Sequence, residues 1–220
     1  MQKHFTLVLA IVSFSTGVFA QNAVAPSDVF QVKYAANLNI GDSFVDITNT
    51  GATTTVAPDG LGAPGTSQNL CANIYTFDPA EELISCCTCS VTPNALQSLS
   101  VLKSLISNPL TPAIPTSVVI KVVTTAGGTC NASSVSSDYL AHGLLVWGTT
   151  LHQNTSVATG CLGTCKSYSL TETPFSQAAL SDTELTHITT TCGFIQSNGS
   201  GFGICKGCAP GGLGSSSSIQ

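Results

Sequence analysis

The chain has 220 residues, of which only 8% are charged and 43% are hydrophobic, and its formal net charge is −5 at pH 7. All six of its basic residues apart from His are Lys, and five of them (Lys33, Lys103, Lys121, Lys166 and Lys206) stand against eleven carboxylates after residue 20. That balance excludes a nucleic-acid partner, which needs a basic face to displace counterions, and a polybasic membrane-surface role.

Residues 1–20 read as a signal peptide. Lys3 and His4 give a basic start, Phe5 to Phe14 a mainly apolar run, and Val18-Phe19-Ala20 a cleavage site after Ala20. The run is shorter than the ~20 residues a membrane span requires, so no span is expected once it is removed. Residues 21–208 are expected to form a single disulfide-bonded β-rich domain. The 209–220 stretch lacks an apolar pattern and reads as a disordered tail. All ten cysteines follow the signal segment: Cys71, Cys86, Cys87, Cys89, Cys130, Cys161, Cys165, Cys192, Cys205 and Cys208. An even count in an exported chain predicts disulfides throughout, and a secreted, extracellular or periplasmic location.

In chain order, residues 21–28 form a polar lead-in. Tyr34 to Ile40 and Ser43 to Thr48 both alternate, with Val45 and Ile47 inward, and Gly41-Asp42 between them predicts an antiparallel hairpin. Residues 51–68 make a long loop. Strands at 69–78 and 82–91 form a second hairpin. Centred on Ala80, it places Cys71 opposite Cys89 within disulfide reach, and turns Cys86 to the face of Ile74 and Ile84. Thr92-Pro93 followed by Leu96, Leu99, Leu102 and Ile106 predicts a helix. Residues 117–125 form the clearest strand, with Val118, Ile120 and Val122 inward. Another strand spans 144–151, with Trp147, Leu145 and Leu151 facing the core. Lys166 to Glu172 is a weaker strand closed by Pro174. Ser181-Asp-Thr-Glu184 is a capping box opening a helix through Leu185, Ile188, Cys192 and Ile195. The sum is mainly β: an antiparallel β-sandwich with two short helices, stapled by disulfides, with a β-barrel as the alternative.

The segment Phe194-Ile-x-x-Asn-Gly-Ser-Gly-Phe-Gly-Ile-Cys-x-x-Cys208 resembles the tail of uncharacterised exported Cys-rich bacterial proteins. The resemblance implies export from a bacterium and brings no activity. Three chemical readings compete. Gly41-Asp42-Ser43 with Asp46 resembles the first block of the GDS-type (SGNH) esterases, which implies a serine hydrolase using Ser43 with a His drawn from His142, His152 and His187; Asp138 precedes His142 by four residues where that family uses three. Cys86/Cys89 and Cys205/Cys208 have the spacing of a zinc knuckle, although an exported chain with further cysteines favours disulfides. The third reading is a non-catalytic structural or surface/adhesion-type domain, because no polar constellation stands out. It is the preferred one, with no catalytic, cofactor or metal residue assigned and with self-association or a cell-surface partner as its expected mode of action. Cys192, Cys205 and Cys208 are expected to fasten the C-terminus to the Cys86-Cys87 region, with Gly199, Gly201 and Gly203 letting the return pass close to the sheet. Asn131-Ala-Ser, Asn154-Thr-Ser and Asn198-Gly-Ser are glycosylation sequons.

Overall fold

A computed structural model of the chain describes residues 23–55, 68–126, 129–157 and 166–208. The signal segment 1–20, the 209–220 tail, and Cys161 and Cys165 lie outside the described residues. Among the described residues, nine strands form two antiparallel sheets: β1 Ala23–Ala35, β2 Phe44–Thr55, β3 Leu70–Phe77, β4 Leu83–Val91, β5 Leu96–Ser100, β6 Val118–Ala126, β7 Ala141–Val157, β8 Lys166–Pro174 and β9 Ser176–Ser181. One helix, α1, spans Asp182–Ser197. The five-stranded sheet has the order β4-β3-β6-β1-β9 and the four-stranded sheet β5-β2-β7-β8. Both are open, so the fold is a sandwich and not a barrel.

Alternation explains the layers. Val45 and Ile47 of β2, Leu144 and Val146 of β7, and Leu99 of β5 meet Val118, Ile120 and Val122 of β6, Ala72 and Ile74 of β3, and Cys87 and Cys89 of β4. This is the core between the sheets. The opposite face of the five-stranded sheet is also apolar (Phe30, Tyr75, Phe77, Leu83, Cys86, Val123), and α1 covers it with Leu185, Ile188, Cys192 and Ile195. The helix starts where the capping box predicts: Ser181 Oγ accepts the Glu184 N–H at 3.1 Å. The Glu184 carboxylate does not return to the cap. It pairs with Lys121 of β6, whose ammonium lies 4.5 Å from the Phe77 ring centre.

Several expectations are corrected. Tyr34 to Ile40 is not the first arm of a hairpin. Strand β1 starts at Ala23, within the supposed lead-in, and lies in one sheet while β2 lies in the other. Residues 36–43 cross between them, with Asn37 in the left-handed region at φ 61°. The β3–β4 register is Cys71↔Ser90 and Ala72↔Cys89, with a bulge that seats Thr76 opposite Ser85 and Phe77 opposite Leu83. The extra residue at Ile84 reverses the side-chain phase of β4. Cys71 and Cys89 therefore point to opposite faces, and Cys71 pairs instead with Cys130. Cys86 joins Tyr75 on the helix side, while Ile74, Ile84, Cys87 and Cys89 face the sandwich core. The predicted helix near 93–106 is strand β5 followed by a single π-helical turn, Val101–Leu105. The free edge of β2 takes Leu96–Ser100 as a partner before a helix can form. Strand β9 follows β8 directly. Phe175, buried at the corner, donates its N–H to Val146 O at 2.8 Å, and the chain steps from one sheet to the other.

The opposite side, where β4 and β5 form the two edges, is closed by the C-terminal segment. Cys86 N donates to Gly203 O at 2.9 Å and Cys205 N to Cys86 O at 3.4 Å, so residues 203–205 lie parallel to β4. On the other side Lys206 N donates to Ser104 O at 2.8 Å and Gln97 Nε2 to Gly207 O at 3.3 Å. Two disulfides fix this strap, Cys87–Cys205 and Cys89–Cys208, and a third, Cys86–Cys192, ties α1 to the same strand. The expected fastening of the C-terminus to the Cys86-Cys87 region is present. Of Gly199, Gly201 and Gly203, the last is the one at close quarters. Its φ is +74°, and an added Cβ would lie 2.7 Å from Ile195 Cγ2 and 3.2 Å from Ile84 O. At Gly201 the same atom would meet nothing within 4 Å. Gly203→Ala is therefore expected to destabilise by about 3 kcal/mol, combining left-handed backbone cost with overpacking. Gly201→Ala should cost only the backbone part, about 1 kcal/mol. Urea unfolding of the two variants checks this difference, and equal losses would contradict the close approach at Gly203.

Candidate interaction surface

The sequence-derived hydrolase residues do not assemble. Ser43 is buried on the inward side of β2, and its Oγ has no hydrogen-bond partner. Its neighbour Asp42 holds local structure. One of its carboxylate oxygens accepts the N–H groups of Ser43 (2.8 Å) and Leu102 (3.0 Å), and the other accepts Ser100 Oγ. Gly41-Asp42-Ser43 thus caps the π-helical turn, whose N-terminal amides need acceptors. His142 does not bond Asp138. Its Nδ1 pairs with Asp28, whose second carboxylate oxygen accepts the Gly143 N–H at 2.8 Å. His152 bonds Thr171 Oγ1 at 2.9 Å across the β7–β8 ribbon, and His187 is exposed on α1. No hydrogen bond joins Ser43 to a histidine among the described residues.

The Asp28–His142 pair was invisible to sequence reasoning, because 114 residues separate its members. It belongs to a polar link between the sheets. Gln31, buried in β1, donates Nε2 to Asp28 O (2.8 Å) and Leu144 O (3.0 Å) and accepts Val146 N (3.3 Å). Asn49 of β2 does the same at the other end: Nδ2 donates to Gln68 O and to Val91 O, both at 2.9 Å. Both of these amides are engaged at nitrogen and at oxygen, Asn49 Oδ1 accepting the Gly51 N–H at 2.9 Å. Tyr75, buried under α1, donates its hydroxyl to Ala132 O at 2.7 Å, and burial raises its phenol well above the ordinary range. Partial burial lowers the Lys33 ammonium, which donates to Thr173 Oγ1.

The two Cys-x-x-Cys spacings do not form zinc knuckles. Cys86, Cys89, Cys205 and Cys208 are all in disulfides, so none is free to ligate. No group of three metal-ligating side chains occurs among the described residues.

What the structure does present is the outer face of the four-stranded sheet. Pairing places Thr48 between Leu96 and Leu145, Trp147 between Asp46 and Pro174, Leu151 beside Leu170, and Gln153 beside Tyr168. Leu145 is 37%, Phe44 41%, Tyr168 45% and Leu170 58% exposed. Trp147 is half-buried on this face and not in the core, contrary to expectation. The core side of β7 is Leu144, Val146 and Gly148. Both faces of β7 are apolar, so alternation alone could not orient it, and the bulkier set turned outward. Together these side chains form an exposed apolar surface on the sheet face. It adjoins β8, an edge strand exposed on both faces.

Removing the unpartnered hydroxyl in Ser43→Ala should leave stability unchanged or raise it by up to about 1 kcal/mol, since the buried Oγ forfeits its solvation without a bond in return. Thermal unfolding checks this, and a loss of more than about 2 kcal/mol would reveal a partner at Ser43. Comparison with protein-family models, curated proteins and solved structures finds no match to this chain.

Proposed function

We propose that the chain is an exported, non-catalytic surface or adhesion-type domain that engages a cell-surface partner through the outer face of its four-stranded sheet. The observation that carries this reading is the row of exposed apolar side chains on an otherwise weakly charged sheet, with Trp147 and Asp46 side by side at its centre. Burying one exposed Leu side chain contributes about 1.5–3 kcal/mol, so a few of them sustain a specific contact. Export is supported by the apolar run of residues 1–20 and by four disulfides, which persist in oxidising compartments. No helix among the described residues is long and apolar enough to cross a membrane.

The test is retention on the surface of the producing cells. The double variant Leu145→Glu, Leu170→Glu places charges on the face without touching the core. It is expected to weaken retention at least about tenfold, or 1.4 kcal/mol, with the thermal midpoint within a few degrees of wild type. Undiminished retention by a folded variant would overturn this assignment of the face.

A further inference from the structure

A second apolar surface lies on the opposite edge of the molecule. Pro109, Leu110, Pro112, Ile114, Ser200 and Phe202 line a groove of about 380 Å³. Ile114 and Phe202 are more than half exposed, and Phe194, one helical turn before Asn198, is 70% exposed. This is an unusual amount of bare hydrocarbon for a chain outside a cell. The rim of the groove carries a sequon: Asn198-Gly199-Ser200, whose Ser200 lines the groove itself.

We infer that Asn198 carries an N-linked glycan and that this glycan covers the groove. The inference rests on the exported reading above. Asn198 is the C-cap of α1 and is exposed. Its Oδ1 accepts Ser200 N at 2.8 Å and Ser200 Oγ at 2.6 Å, which leaves Nδ2 as the outward group. The middle residue, Gly199, has φ +70° and no heavy atom within 4 Å of its Cβ position, so the tripeptide stands clear of the body. The loop that follows is held in place: Phe202 N donates to Ser200 Oγ at 3.1 Å and Asn108 Nδ2 to Gly201 O at 2.7 Å. The glycan root is thereby fixed beside Phe202.

The other two sequons lack this freedom. Asn131 makes the same turn with Ser133, but it follows disulfide-bonded Cys130, and its middle residue Ala132 is wholly buried against Tyr75. Asn154 lies within β7, paired with Ser167 of β8, and its Oδ1 accepts Ser169 Oγ at 3.1 Å.

The modification is a group transfer from a polyprenyl-diphosphate-linked oligosaccharide. The Asn198 amide nitrogen loses one proton and bonds the anomeric carbon of the first sugar. The sugar–phosphate C–O bond breaks, and its electron pair leaves with the diphosphate carrier. The first sugars then lie beside Phe202, where the positive C–H face of a pyranose meets the negative face of the ring.

The full chain, with its own residues 1–20, is produced in a eukaryotic secretory host, and the protein in the medium is analysed by intact mass before and after peptide-N-glycosidase. One glycan is expected on wild type, on Asn131→Gln and on Asn154→Gln, and none on Asn198→Gln. Unmodified Asn198 in secreted protein would overturn the inference and leave the exported reading standing; a chain retained in the cytosol would overturn both. Covering of the groove is read with the dye ANS. Fluorescence should rise at least about threefold in Asn198→Gln relative to the glycosylated protein, and fall back when Phe202→Ser is added. Equal dye binding with and without the glycan would show that it does not lie over the groove.

Discussion

Strand β4 is the fixed point of this fold. Its Cys86-Cys87-x-Cys89 sequence sends one disulfide to the helix side and two to the sandwich side, and all three end in the C-terminal segment. The bridges nest, which decides what each is worth. Cys86–Cys192 closes a loop 106 residues long, and in the chain-entropy account a loop of that size stabilises by about 4.7 kcal/mol. Once it exists, Cys87–Cys205 closes only a further loop of roughly 15 residues, worth about 3 kcal/mol, and Cys89–Cys208 a still shorter one. The first bridge therefore docks α1 on the sheet, and the next two hold the strap against the open side. Cys71–Cys130, 59 residues apart, acts separately at the far end of β3.

The strap takes the place that an ordinary strand would otherwise fill. Edges β4 and β5 belong to different sheets and cannot pair with each other across the core. Residues 203–208 satisfy part of both, through Gly203 and Cys205 on one side and Lys206 and Gly207 on the other. The opposite side is closed differently, by one chain segment that turns at Phe175 from β8 into β9. What remains open is the outer edge of β8 and the apolar face next to it. Three of the four disulfides among the described residues gather on the strap side. Of the polar side chains, Gln31 and Asn49 join strands in the interior, and Asp42 caps the π-helical turn.

The sequence revealed its local devices well. The capping box at Ser181, the strand at Val118–Ala126 and the inward Val45 and Ile47 are all as periodicity requires, because each depends on residues a few positions apart. It misled wherever a short-range pattern continued through a long-range event. The alternation from Tyr34 to Ile40 runs across a change of sheet. The β3–β4 register is reversed by one bulged residue at Ile84, and that alone makes a Cys71–Cys89 bridge impossible. Leu96, Leu99, Leu102 and Ile106 have helical spacing, yet the neighbouring edge of β2 supplies hydrogen bonds that a short isolated helix cannot match. On the outer apolar face, Leu145 and Trp147 were legible as apolar, but their direction was not, because Leu144 and Val146 beside them are equally apolar.

The central claim is that β4 anchors both α1 and the C-terminal strap, through one bridge and two bridges respectively. Non-reducing proteolytic mapping by mass spectrometry tests it most directly. The predicted result is a set of linked peptides joining the Cys86-Cys87-x-Cys89 strand to Cys192, Cys205 and Cys208, with Cys71 linked to Cys130. A peptide linking Cys71 to Cys89, or free thiols at Cys192, Cys205 and Cys208, would contradict it.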